Sequence, residues 1–169
     1  SEFDQMLFYL PLTGSTFKKV YYDEMMQRTV SKFVPADDLV VPYTATSLDD
    51  AETIIHVVKM SENELRKQQV AGFYRDVELT PGQDNETDAQ RKERELDGMA
   101  KGRNQPMFTL LECHVNLDIE GFEDTDTQGQ ATGIKLPYIV TVEEASREVL
   151  SIRRNYEVGD ATRSKIQYF

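Results

Sequence analysis

The residue types best suited to chemistry here are one cysteine and two histidines. Cys113 and His114 are neighbours in a run with strand alternation, so they point to opposite faces and cannot work as nucleophile and base. Cys113 falls on the apolar face and is predicted to be core. His56 shares a strand face with Ile54 and Val58 and is predicted to be a hydrogen-bonded sheet residue. No glycine-rich phosphate loop accompanies them. We therefore predict no catalytic or cofactor-binding residues and no enzyme.

One short loop is rich in acidic side chains, and oxygen-rich loops can hold calcium. The acidic residues are Asp118, Glu120, Glu123, Asp124 and Asp126. Their order does not match an EF-hand loop, and the glycines at 121, 129 and 133 also suit a mobile loop. We predict no metal or other cofactor here, and a metal-dependent hydrolase built on this loop remains a less favoured alternative.

Two basic pairs are the remaining candidates for binding. Arg66 and Lys67 lie on a predicted helix, where a solvated face is expected, although contact with a phosphate or a neighbouring carboxylate is the alternative. Arg153 and Arg154 are consecutive in a predicted strand and so diverge, and one of them is expected to pair with an acidic neighbour.

Charge and cysteine content restrict the class of protein. The 169 residues include 19 basic and 30 acidic side chains, for a net charge of −11. An acidic surface argues against a dedicated nucleic-acid-binding module and against attachment to anionic lipid, but not against brief contact with DNA. A single cysteine excludes an internal disulfide, and no apolar run has the length of a membrane span. From the character of both ends we expect a fragment excised from a longer protein.

The chain must position these residues on elements that its hydrophobic pattern predicts. Residues 8–23 read as a hairpin, because Met6, Phe8, Leu10 and Leu12 alternate with other apolar residues before a Thr-Gly-Ser turn. Residues 29–34 and 53–60 read as further strands, and prolines at 35 and 42 confine residues 39–41 to an edge strand or an extended arm. Ser61 and Glu64 form a capping box that starts a surface helix over residues 62–71, with Leu65, Val70 and Ala71 facing the core and Gly72 ending it.

The second half of the sequence differs from the first in composition and in hydrophobic pattern. Residues 80–105 are polar and are predicted to form an exposed, mobile or partly disordered insertion, with a helix near Asp88 to Leu96. Residues 108–119, 133–142 and 147–156 read as an antiparallel meander with a turn at 143–146, and Pro137 predicts a bulge or edge position. The resulting fold class is α+β, an N-terminal hairpin plus a C-terminal meander with one or two surface helices. We assign residues 1–169 to a single domain with segments 1–79, 80–105 and 106–169.

Three short motifs, in order, carry a family resemblance. The first is Leu10-Pro11-Leu12-Thr13-Gly14 leading into Phe17-Lys18-Lys19-Val20-Tyr21. The second is Val34-Pro35-Ala36-Asp37-Asp38. The third is Lys59-Met60-Ser61 before Glu64-Leu65-Arg66-Lys67, and then Gly72-Phe73-Tyr74-Arg75-Asp76-Val77. Together they cover about half of the chain, which resembles the portal proteins of tailed bacteriophages.

The resemblance implies a structural role. Portal subunits form a dodecameric ring at one capsid vertex, conduct DNA during packaging and ejection, and dock the packaging terminase and later the head-completion and tail proteins. It implies that this chain is a wing-region fragment, with other portal subunits, the capsid and transient, non-specific double-stranded DNA as partners and no membrane. The protein would assemble in the host bacterial cytoplasm and reside in the virion, and the fragment alone is not expected to form rings. A β-rich module that binds a protein or glycan is the main alternative.

Overall fold

In the part of the chain that the structure describes, the protein folds into two α-helices and two antiparallel sheets, which confirms the predicted α+β class. The computed structural model describes residues 2–24, 26–80 and 107–169. The elements in chain order are α1 (Glu2–Thr13), β1 (Thr16–Asp23), β2 (Arg28–Pro35), a 3-10 turn (Ala36–Asp38), β3 (Leu39–Val40), β4 (Ile54–Ser61), α2 (Glu62–Val70), β5 (Met107–Leu117), β6 (Leu136–Glu143) and β7 (Val149–Arg154). Strands β1 and β2 form one sheet, and the other has the order β3-β4-β5-β6-β7. The predicted helix from Asp88 to Leu96 lies outside the described residues.

The first predicted strand is wrong, because residues 2–13 form helix α1. The run from Met6 to Leu12 is almost continuously apolar, so its pattern does not separate a strand from a helix. Acidic residues in the first turn favour the helix through its dipole. It ends at Gly14, whose φ of 75° suits glycine and whose N–H donates to the Leu10 carbonyl at 3.0 Å. The hairpin therefore starts later and is formed by β1 and β2, with Thr16 opposite Pro35 and Asp23 opposite Arg28.

The five-stranded sheet confirms the predicted meander and corrects one detail of it. Strand β3 is a two-residue edge strand, with Leu39 opposite His56. The predicted turn at residues 143–146 joins β6 to β7. Pro137, however, is the second residue of interior strand β6, not part of an edge strand. The Pro137 carbonyl still accepts the Asn155 N–H at 2.9 Å. Proline lacks a backbone N–H, and this loss of one donor is tolerated at the start of the strand.

Strand β5 buries the face that the sequence marked as polar. Phe108, Leu110 and His114 are buried, whereas Cys113 is only half-buried. The prediction of a core cysteine is therefore wrong. The reason is that the polar side chains on the buried face find partners of their own, and these partners come from distant parts of the chain.

Helix α2 confirms the predicted capping box. The Glu64 N–H donates to the Ser61 hydroxyl at 3.3 Å, and the Ser61 N–H donates to the Glu64 carboxylate at 3.3 Å. Leu65 is buried as predicted, but the second buried residue is Gln69, while Val70 and Ala71 are exposed. The Gln69 side-chain amide donates to two carbonyl oxygens of the following loop, which compensates for its burial.

Two compact units, each with its own core, make up the chain. One comprises residues 1–57, 112–140 and 152–169, and the other residues 58–111 and 141–151. The buried residues of the first core are Val34, Leu39, Ala51 and Ile54, and those of the second are Leu65, Phe108, Leu110 and Leu150. Among the described residues, no helix has the length and apolar character needed to cross a membrane.

Candidate functional site

The most distinctive site in the first unit is a buried cluster of ionisable side chains. Lys19 of β1 forms an ion pair with Glu112 of β5, and the Lys19 ammonium lies 3.4 Å from the His56 Nδ1 atom. On the other side, the His114 Nε2 atom lies 2.9 Å from the same Glu112 oxygen. Lys19 and both histidines are buried, and Glu112 is nearly so. We call these four residues the Lys19–Glu112 cluster.

Strand geometry brings the cluster together. Glu112 and His114 are two residues apart on β5 and therefore share a face. His56 lies on β4, the strand next to β5. Lys19 is the buried residue between exposed Lys18 and exposed Val20, so strand alternation turns it inward. The result is a contact between the N-terminal hairpin and two strands that follow much later in the chain.

Aromatic residues from the last part of the chain cover the cluster. The Phe169 ring centroid lies 5.7 Å from that of His56 and 5.3 Å from that of His114. The Lys19 Nζ atom lies 5.5 Å from the Phe169 and Tyr21 ring centroids, a cation–π distance. The backbone joins as well, since the Val20 N–H donates to the Tyr168 carbonyl at 2.7 Å. These contacts limit the access of water to the ion pair, whose side chains are 10% and 14% exposed.

Burial and mutual charge determine the protonation of the cluster. Burial lowers the pKa of Lys19, and the charge of Glu112 opposes this decrease. Burial alone would raise the pKa of the Glu112 carboxyl, but the hydrogen bond from His114 and the Lys19 ammonium lower it far below its usual range. Burial, followed by the charge of Lys19, lowers the pKa of His56 to about 4. His56 is therefore neutral at pH 7 and accepts from the ammonium, which can only donate.

The cluster is suited to holding elements of the chain together. Each polar group in it is engaged by another, and no hydroxyl or thiol nucleophile belongs to it. The adjacent Cys113 is on the opposite face of β5, and burial followed by the charge of Glu112 raises the pKa of its thiol, which opposes thiolate formation. The structure confirms that His56 is a hydrogen-bonded sheet residue. Sequence reasoning missed the roles of Lys19, Glu112 and Phe169.

The acidic loop uses its carboxylates to organise itself. Asp124 accepts from the Arg163 guanidinium at 2.7 Å and from the Thr132 hydroxyl at 2.5 Å. Asp126 accepts the N–H groups of Gln128 and Gln130 at 2.8 and 2.9 Å. Within residues 2–24, 26–80 and 107–169, no group of three or more His, Cys, Asp or Glu side chains is arranged to hold a metal ion.

The basic pairs are on the surface. Arg66 forms an exposed ion pair with Asp76, and Lys67 is exposed, which agrees with a solvated helix face. Arg153 and Arg154 are both exposed at the end of β7. In the same unit as Arg66, an exposed ion pair joins Arg75 to Glu148.

Comparison with known proteins identifies the family. None of the curated proteins compared with the chain matches it. A family model described as the phage SU10 portal protein matches residues 13–154, which is most of the chain and includes the hairpin, both sheets and helix α2. The Lys19–Glu112 cluster falls within this match except for its aromatic cover at Tyr168 and Phe169. The chain belongs to the SU10 portal protein family.

Proposed function

We propose that these 169 residues are part of the wing of a larger portal subunit, and that twelve such subunits form the DNA channel at a capsid vertex. The single observation that carries the proposal is the family match over residues 13–154. This family domain supports a phage portal role, and the family is structural rather than enzymatic. Portal membership also implies an oligomeric ring associated with the virion capsid in general terms.

The Lys19–Glu112 cluster supports a mechanical role for this chain. It ties the hairpin to strands β4 and β5 through a desolvated ion pair, whose directional contacts favour one arrangement over others. We propose that this arrangement resists forces on the ring during packaging by the terminase and during ejection. The net charge of −11 supports passage of DNA without adhesion, because binding a polyanion requires basic side chains that release its counterions.

Electron microscopy of the full-length protein, purified without partners, tests the function. We expect closed rings with a central channel. Monomers or compact dimers at every protein concentration and salt tried would refute the portal proposal. Subsequent addition of purified terminase or head-completion proteins tests the proposed docking role. Isolation of rings from host cells that lack mature capsids tests the proposed assembly in the cytoplasm.

One observation keeps the binding-module alternative open. A cleft of about 330 Å³ beside the acidic loop is lined by Phe122, Tyr156 and several carboxylates, including Glu123 and Glu157. Aromatic and acidic groups in one cleft suit a basic or glycan ligand. Thermal shifts in the presence of calcium, magnesium and manganese separately test the hydrolase alternative, because a metal that binds only the folded state raises its stability. No shift at millimolar metal would remove that alternative.

A further inference from the structure

Helix α1 presents an unusually apolar surface, most of which is exposed among the described residues. None of its described residues is buried. The exposed large apolar residues of α1 are Phe3, Leu7, Phe8, Tyr9, Leu10 and Leu12. A helix that is apolar on most sides is normally enclosed, and a contiguous exposed apolar surface marks an interaction site.

The chain's own hairpin covers only a small part of this helix. The Glu2 carboxylate accepts the Phe33 N–H at 2.6 Å, and the Tyr9 ring stacks on Phe33 with centroids 5.5 Å apart. Phe8 and Leu12 nevertheless remain 68% and 69% exposed. A further surface is needed to bury them.

The hairpin itself offers a surface that complements α1. Lys18, Val20 and Tyr22 alternate along β1 on the face that also carries Phe33, and all three are exposed. On this face Lys18 is the one charged side chain of β1 and β2, because Lys32 and Arg28 lie opposite Lys19 and Asp23 on the other face of the hairpin. The charged residues of α1, in contrast, are both acidic, Glu2 and Asp4. One surface is thus apolar and basic, and the other is apolar and acidic.

We propose that α1 of one subunit docks on the β1–β2 hairpin face of a second copy, against Val20 and Tyr22. The inference rests on the proposed function and assigns a subunit contact to it. Since α1 and the hairpin face are different surfaces, the contact is head-to-tail, and contacts of this kind close into rings when the rotation between neighbours permits. Buried apolar side chains would provide most of the affinity, and the opposite charges would select the orientation.

Disulfide trapping between differently tagged copies tests the contact directly. Phe8→Cys and Tyr22→Cys are placed in separate full-length chains from which Cys113 and any other cysteine have been removed. An intramolecular bond is then impossible, so a mixed-tag disulfide forms only if α1 of one copy meets the hairpin of another. We expect the mixed product on combining the two variants and none from either alone. A product from Phe8→Cys alone would show a symmetric α1–α1 contact and overturn the proposal.

Ring assembly provides the second test and separates this inference from the proposed function. We expect Phe8→Gln/Leu12→Gln to lose rings in electron microscopy while keeping the circular dichroism of the parent. The matched control is Tyr43→Gln/Val70→Gln, whose side chains are 103% and 75% exposed and belong to neither α1 nor the hairpin, and which should retain rings. If the α1 variant still forms rings like those of the parent, and no mixed disulfide forms, the docking proposal alone is refuted. That result would indicate that α1 contacts another protein. No rings in the parent would refute the portal function itself.

Discussion

Removing the Lys19 ammonium should destabilise the protein far more than removing a surface charge. Lys19→Met keeps a side chain of similar length, but among the described residues it leaves the buried Glu112 carboxylate with His114 as its one remaining polar partner. The two side chains are 10% and 14% exposed, so this is a buried pair. Loss of one partner from such a pair costs about 3–5 kcal/mol of the free energy of unfolding. The retained His114 contact leads us to expect the lower end of that range.

Urea denaturation of the single and double variants measures this cost. Lys19→Met/Glu112→Leu removes both charges, and we expect it to recover most of the stability, because an apolar replacement of a whole buried pair is often close to neutral. The double-mutant cycle then gives the coupling between the two residues. The matched control is Arg66→Met, which breaks an ion pair whose side chains are 56% and 70% exposed and should cost about 0–1 kcal/mol.

The result that would refute the reasoning is a small, additive effect. If Lys19→Met costs no more than Arg66→Met and the double variant equals the sum of the singles, the pair is not desolvated. The urea dependence of the unfolding free energy must also stay constant across the series, since a change in this slope would indicate an altered unfolded or native state.

Three further predictions follow from single side chains, each with its own measurement. The pKa of His56 is about 4 in the folded state against an ordinary 6.5, so between these values the unfolded chain binds more protons and stability should fall as pH decreases from about 6.5 to about 4. His56→Gln should flatten that part of the plot of urea midpoint against pH. An unchanged plot would contradict the assignment. Ser61→Ala removes the cap of α2 and should cost about 0.5–2 kcal/mol in urea denaturation, whereas exposed Asn63→Ala should not destabilise. In the β6–β7 turn, the buried Glu143 carboxylate accepts two backbone N–H groups and the Ser146 hydroxyl. Glu143→Ala should therefore clearly lower the midpoint of thermal unfolding, whereas Glu144→Ala at an exposed position should not.

Local patterns predicted much of the fold. The capping box located the start of α2 to the residue, because both of its hydrogen bonds join positions three apart. Alternation identified β5, β6 and β7 as a meander. Two prolines limited residues 39–41 to an edge strand or an extended arm, and the structure has the edge strand β3 there. The same reasoning failed for α1, since a nearly continuous apolar run carries no period, and its flanking acidic residues and Gly14 were the signals that fit a helix.

Burial was predicted less well than secondary structure. The alternation along β5 correctly separated its two faces, but it assigned the core to the face of Cys113. The structure buries the face of Leu110 and His114 instead. A polar face can be buried when partners neutralise it, and a strand pattern does not include those partners.

The sequence alone determined the acidic character of the chain, its capped helix, most of its strands and the motifs of its family, because each depends on composition or on residues close together in the chain. Only the tertiary structure decided the Lys19–Glu112 cluster. Its members are separated by 37 residues from Lys19 to His56 and by 93 from Lys19 to Glu112. Their meeting depends on which strands become neighbours and which faces turn inward, and these are properties of the packed chain as a whole.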